Sequence, residues 1–284
     1  MCCSALLNGH EKQVGHNGGV RRFVTRSAVA ALTVVLVAVA VDFGAAIFAE
    51  YRLSRAVRSA AQLQWDPSVA ILGFPFIPQA TRHHFDEVEI KANDVEHRHV
   101  GRASLEATMH SIGLTDSSWL VRQDAPLPIG KLESRIIIDS AHLGAFMGLK
   151  DLMVEAPTRE SNDATGGTTE SGISGSQGLV FTATPKSAGL DERVSVSVDL
   201  SIEGPERTTL VFTPTDVLTG PGTADQDVPD ENRAAVLAAF SARLPDQRLP
   251  FGVAPTSQGA RGSDVIIEGI TEGVEITLAG FTQP

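Results

Sequence analysis

An α+β fold of antiparallel strands with segregated helices, behind an N-terminal transmembrane or signal helix, is the architecture this sequence predicts. Three observations predict it. Fifteen residues from Ser27 to Val41 carry no charge. Several later segments alternate apolar and polar residues with a period of two. The elements also run strands, helix, linker, strands, helix, strands, and not in strict strand–helix alternation. Composition agrees: 42% apolar residues support a packed core. With 12 Phe, 2 Trp and 1 Tyr, that core must be built mainly from aliphatic side chains. The net charge of -11 argues against a nucleic-acid binder, which needs a basic face for phosphates.

The charge is unevenly placed. Residues 1–26 carry Lys12, Arg21, Arg22 and Arg26 against Glu11, a net of +3, leaving -14 for the rest. The uncharged run Ser27–Val41 would span ~22 Å as a helix, short of a ~30 Å hydrocarbon core. Asp42 interrupts it, and FGAAIFA (Phe43–Ala49) extends it. Two readings stand. One is an uncleaved signal anchor with Asp42 towards the outer headgroups. The other is a secretory signal with Ala38-Val39-Ala40 as a small-x-small cleavage site. The long basic n-region favours the anchor. The expected organisation is a cytoplasmic basic tail at 1–26, a transmembrane or signal segment at 27–49, and an exported domain at 50–284. Arg52, Arg55 and Arg58 follow the segment, so the positive-inside bias is slight. Both cysteines, Cys2 and Cys3, precede it, so the exported part has neither a disulfide nor a thiolate site.

The helical pattern continues past Asp42 towards a stop at Asp66-Pro67. Val69–Leu72 reads as a strand, and GFPFIPQ (Gly73–Gln79) as a turn or irregular edge, because Gly73, Pro75 and Pro78 interrupt pairing. Phe85–Ala92 and Arg102–Ser111 alternate; in the second, Ala103, Leu105, Ala107 and Met109 form the dry face. Ser134–Ile138 is a strand handing over at Asp139, an N-cap, to a helix over Ser140–Leu152. Ala156–Gly178 is nearly devoid of large apolar residues and reads as a flexible insertion. Gly178–Thr184 and Arg193–Ile202 follow as strands. The second has Val194, Val196, Val198, Leu200 and Ile202 on one face and Ser195, Ser197, Asp199 and Ser201 on the other. Thr208–Thr213 is its expected partner. A second helix, Glu231–Leu244 capped by Asp230, precedes three terminal strands at Leu249–Val253, Val265–Gly269 and Val274–Leu278.

Catalytic signatures are missing from the sequence. There is no G-x-S-x-G, no phosphate-cradling glycine loop and no H-E-x-x-H. His97 and His99 would share a strand face, as a metal site could use, but they lie among Arg82, Arg98, Arg102 and acids on what reads as a solvated face. Asp86-Glu87 and Asp191-Glu192 flank turns and read as solubilising charge. No metal, cofactor or catalytic residue is expected. The positive signal is architectural: continuous aliphatic strand faces can close a core, or curve around an apolar ligand.

The stretch Pro67–Val95 resembles the signature of the LmeA-like proteins of actinobacteria. Its matching residues are Gly73, Phe74, Pro75, Phe76, Ile77 and Gln79, then Val88, Ile90 and Ala92. The helix around Asp42 and the closing segment with Leu244-Pro245, Leu249-Pro250 and Gly252-Val253 agree in pattern. The insertion Ala156–Gly178 and His83-His84, where a glycine is common, depart from it. The resemblance implies a phospholipid-binding envelope protein with a tubular lipid-binding (BPI-like) architecture, a strongly curved antiparallel sheet wrapping a helix. It also implies a part in mannan elongation on lipid-anchored glycans, with lipoglycan mannosyltransferases as partners. The candidate lipid contacts are Phe74, Pro75, Phe76, Ile77, Val88, Ile90, Leu105, Met109, Val194, Val196, Val198 and Leu200. The expected protein is non-catalytic, held in the cell membrane by one pass with its C-terminal domain outside, or secreted to the periplasm if cleaved. An envelope enzyme acting on lipoglycan and a non-lipid scaffold for glycosyltransferases are the alternatives.

Overall fold

The computed structural model describes residues 17–114, 125–156, 174–224 and 226–282, with side chains from residue 23 onward. In chain order the elements are α1 (Asn17–Ala60), β1 (Ser68–Leu72), α2 (Phe76–Thr81), β2 (His84–His97), β3 (Gly101–Gly113), β4 (Leu127–Ile138), α3 (Ser140–Met147), β5 (Met153–Glu155) and β6 (Leu179–Ala183). They continue with β7 (Val194–Glu203), β8 (Thr209–Leu218), α4 (Asp230–Ala239), β9 (Ala242–Leu244), β10 (Ser257–Arg261) and β11 (Asp264–Ile276). The chain divides into two compact units, Met1–Ala45 and Ala46–Pro284. Most of the expected insertion, at 157–173, lies outside the described residues.

In the first unit α1 carries an apolar window of mean hydropathy 2.4, and the helix is long and apolar enough to cross a membrane. In the second unit α1 presents Ala49, Leu53 and Val57, spaced by four, as its buried stripe, and Ala61 just past its end continues it. The helix stops at Ala60, before the expected Asp66-Pro67 barrier. Gln62 adopts φ 54, and Leu63 N–H donates to Arg58 O at 3.0 Å, the cross-turn bond of a Schellman end. Left-handed backbone at a glutamine is not signalled by composition.

Both sheets are antiparallel and open. The first has the order β1-β2-β3-β4-β11-β10 and the second β5-β6-β7-β8-β9. In the first, cross-strand partners Val88–Met109, Ile90–Ala107, Leu105–Ile136 and Met109–Leu132 continue one apolar face from strand to strand. The opposite face is ionic: Arg135 Nε lies 2.5 Å from Glu268 Oε2 and its Nη2 lies 2.8 Å from Glu133 Oε2. In the second sheet Val194, Val196, Val198 and Leu200 are buried with Phe181 and Phe212, whose rings lie 5.9 Å apart. Gln258 of β10 donates to Leu200 O of β7 at 3.3 Å, tying the sheets together.

Several expectations are corrected. Gly73–Pro75 forms the expected turn, but the rest of the segment is helix: Pro75 occupies the N-cap and Pro78 lies in the first turn of α2, where an amide hydrogen is not needed. Asp139 caps α3 through its bond from His142 N at 2.8 Å, but Gly148 at φ 76 ends that helix well before Leu152. The second helix ends at Ala239, and its first described cap is Pro229, not Asp230. Ala242–Leu244 is strand β9, which continues the sheet from β8. Leu249–Val253 contains a 3-10 turn at Pro250–Gly252, while β10 went unread and the last two expected strands are one, β11. Ser195, expected on a wet face, is buried: its hydroxyl bonds Thr182 Oγ1 at 2.7 Å and accepts from Ala224 N–H at 2.9 Å.

Candidate functional site

A β-bulge shapes a cleft on the first sheet. Ala92 pairs with Leu105 and Val95 with Ala103, so β2 carries one residue more than β3 across this step. Asp94, at φ 55, takes the left-handed turn that the extra residue requires. Beyond the bulge a cleft of about 490 Å³ is floored by Ala103, Leu105 and Ile136, with Phe281 contributing from the C-terminal segment. A second cleft, of about 470 Å³, shares Val95, Glu96 and Thr282 with the first and extends to the turn Ala61–Pro67. Thr282 Oγ1 donates to Ala61 O at 2.6 Å, so the chain end packs against the end of α1.

The rim of the first cleft is ionic. Arg98 Nη1 lies 3.5 Å and His99 Nε2 3.3 Å from Asp246 Oδ2, while Arg248 Nη2 lies 3.7 Å from Glu206 Oε2. These ion pairs are largely solvent-exposed, and such pairs hold their partners weakly. His97 is a structural post of the β2–β3 turn. Its Nδ1 accepts from the backbone N–H groups of His99 and Val100 at 3.3 and 3.4 Å, which leaves the proton of the neutral ring on Nε2. Burial, and then the neighbouring His99 charge, hold the His97 pKa below the ordinary imidazole value. The side-chain amide of the buried Gln247 lies 3.3 Å from Nε2. Among the described residues no group of three or more His, Cys, Asp or Glu could hold a metal ion.

The family model for LmeA-like phospholipid-binding proteins matches residues 40–270. The chain belongs to that family. Neither the curated proteins nor the solved structures give a match.

For a member of the LmeA-like family, the twelve candidate lipid contacts fall in four places. Leu105 lines the first cleft. Phe76, Val88, Ile90 and Met109 are buried in the first sheet's apolar layer, and Val194, Val196, Val198 and Leu200 are enclosed in the second sheet. Phe74 and Ile77, 64% and 39% exposed, project from the β1–α2 turn around Pro75. Phe74 and Phe76 therefore diverge, whereas an extended chain would have aimed them alike. Phe76 stacks on Phe85 with ring centroids 5.8 Å apart. The residues of the cleft that sequence reasoning missed include Ile136, Arg98, Arg248 and Phe281. Arg98 and Arg248 carry no local pattern, and only the fold brings them to Leu105.

Gln79, matched as part of the motif but given no role, organises that turn. It is 2% exposed; its Nε2 donates to Gly73 O at 2.9 Å, and its Oε1 accepts from Asp86 N–H at 2.9 Å. Gly73 at φ 98 is required twice over, since a Cβ there would also lie 2.7 Å from Gln79 Nε2.

Proposed function

We propose that this protein binds a phospholipid non-catalytically, with acyl chain along the aliphatic floor of the first cleft and phosphate at its arginine rim. The observation that supports the reading is the pairing of Ala103, Leu105 and Ile136 below with Arg98 and Arg248 above, in a chain of the phospholipid-binding family. The cleft, about 490 Å³, falls within the roughly 300–1,000 Å³ typical of small-molecule sites. Each acyl methylene removed from water contributes ~0.8 kcal/mol, so an eight-carbon segment would supply roughly 6 kcal/mol before ordering costs. Arginine suits the other end because its planar fork donates two hydrogen bonds to one phosphate. These guanidiniums would exchange Asp246 and Glu206 for the phosphate at small cost, because the ion pairs are exposed. His97 offers no ready acid–base group: one ring nitrogen is engaged by two backbone donors and its proton affinity is lowered.

The reading extends to the whole chain. Ser27–Ala49 would anchor the protein in the cell membrane as one pass, with the basic tail inside and Glu50–Pro284 outside. A tubular enclosure of the lipid between the apolar layer and α1, and service to lipoglycan mannosyltransferases during mannan elongation, are the finer parts of this proposal. Both are what the resemblance of the Pro67–Val95 stretch implies.

Native mass spectrometry of the Ala46–Pro284 unit, after incubation with phosphatidylglycerol and phosphatidylinositol, tests the binding. Near-stoichiometric adducts are expected. Leu105→Trp, which fills the cleft from its floor, should remove them while far-UV circular dichroism still reports a folded protein. Undiminished loading of the variant would place the lipid elsewhere, and no loading of either protein would sink the proposal.

A further inference from the structure

The turn between β1 and α2 puts large apolar side chains into solvent on a rigid mount. Leu72 is 42%, Phe74 64% and Ile77 39% exposed. A mobile loop could fold such residues away. Here Gln79 grips Gly73 O from inside and the amide of Asp86 from the next strand, so the turn is held open with its aromatic outward. The same turn has a fixed level along the entering helix: Ile71 N–H donates to Glu50 Oε1 at 2.9 Å. Glu50 is the first charged residue after the apolar run that ends at Ala49. Around it the helix surface changes character. Ile47 and Phe48 are exposed just before Glu50, and Tyr51, Arg52 and Arg55 are exposed just after it. Arg55 lies 5.7 Å from the Tyr51 ring centroid and donates to its hydroxyl at 2.7 Å. Apolar side chains giving way to tyrosine and arginine within one turn is the order found where a helix leaves a bilayer.

We propose that the Leu72–Ile77 turn is a membrane-docking surface, whose Leu72, Phe74 and Ile77 side chains insert into the outer face of the bilayer at the level of Glu50. The proposal rests on the anchor reading above, since it takes the Ala49–Glu50 boundary as the point where the chain meets the headgroups. The occupant is the lipid surface itself, not a lipid held in the cleft. Insertion places the Ala46–Pro284 unit against the bilayer by two points, the anchor and the turn, and so fixes its tilt.

Environment-sensitive labels in the full-length chain test this. With Cys2 and Cys3 replaced by serine, single cysteines at Val35, Phe74 and the exposed Asp191 are labelled with nitrobenzoxadiazole. The protein is then reconstituted into phosphatidylcholine–phosphatidylglycerol vesicles. Nitroxide carried on the acyl chains near the headgroup should quench the labels at 35 and 74, both with blue-shifted emission. Aqueous iodide should quench the label at 191. If the label at 35 lies in lipid and the label at 74 behaves like that at 191, the docking surface is refuted while the anchor stands. If 35 also behaves like 191, the anchor reading falls and takes the proposal with it. A label at 74 shielded from both nitroxide and iodide would mean a second copy or another protein covers the turn, and that also overturns the proposal. Thermal melts matching the unlabelled protein exclude misfolding as the cause.

Discussion

Replacing Gln79 by alanine should destabilise the Ala46–Pro284 unit out of proportion to the loss of one polar side chain. The deletion strips partners from two backbone groups, the Gly73 carbonyl and the Asp86 amide, each bonded to the glutamine at 2.9 Å. A buried donor or acceptor left unsatisfied costs about 1–3 kcal/mol. Both bonds are only partly buried, so about 1 kcal/mol apiece applies. The Gln79 stem, enclosed at 2% exposure, adds about 1 kcal/mol of lost burial. The expected total is about 3 kcal/mol, which lowers the melting temperature of a chain this size by roughly 6–12 °C. Far-UV circular dichroism melts give the global effect. Hydrogen exchange should show the Asp86 amide losing protection while amides in β7 keep theirs at low denaturant. A variant melting within about 1 °C of the parent would refute the assignment of Gln79 as the clamp of the turn.

Two further outcomes follow from charged groups. Arg135→Met should cost about 3–5 kcal/mol, because it takes the arginine counter-charge from Glu268, itself 2% exposed; adding Glu268→Leu should restore most of the loss in a denaturant titration, and failure of that rescue would count against the pair. His97 is held below the ordinary imidazole pKa by burial and then by the His99 charge, so below about pH 6.5 the unfolded chain binds this proton more readily than the folded one. The stability contributed by neutral His97 is therefore whole above about pH 6.5 and is lost as pH falls through the folded value; His97→Gln should flatten that part of the stability–pH curve, and an unchanged slope would contradict it.

The strands that sequence reasoning read well are those with one wet and one dry face. In β3 the dry set Ala103, Leu105, Ala107 and Met109 is buried throughout, because a period of two leaves a strand one way to lie on a core. It failed where apolar spacing satisfied two periods at once. Val236, Phe240 and Leu244 are four apart and suggest one helical stripe, yet Leu244 is buried from β9, whose register against β8 is a long-range fact. Gly269 misled in another way. It read as the end of a strand, whereas it sits inside β11 because a Cβ there would lie 2.5 Å from Ala254 O. The motif Gly73–Gln79 was visible as a signature, but its mechanism was not, since the partner of Gln79 is an amide on the next strand. The cleft was the least visible feature. Its floor and rim come from segments as far apart as Val95 and Thr282, and no local pattern announces that they converge.

The charge balance gives the proposed binding mode a physical logic. The chain beyond residue 26 carries -14, so its surface as a whole is repelled by anionic lipid. Recognition of a phosphate must then be local, and Arg98 and Arg248 each stand beside an acid, Asp246 and Glu206, that neutralises them in the free protein. An arginine paired in this way does not adsorb to every anionic membrane. It exchanges its carboxylate for a phosphate only when the acyl chain has already reached the aliphatic floor, because only then does burial add to a nearly neutral exchange of ion pairs. On this account acidic substitution at the rim and filling of the floor act on the same step, so Arg98→Glu and Leu105→Trp together should reduce loading by less than the product of their separate effects. Loading losses that multiply would separate the two ends of the cleft into independent sites and remove the argument for a single bound phospholipid.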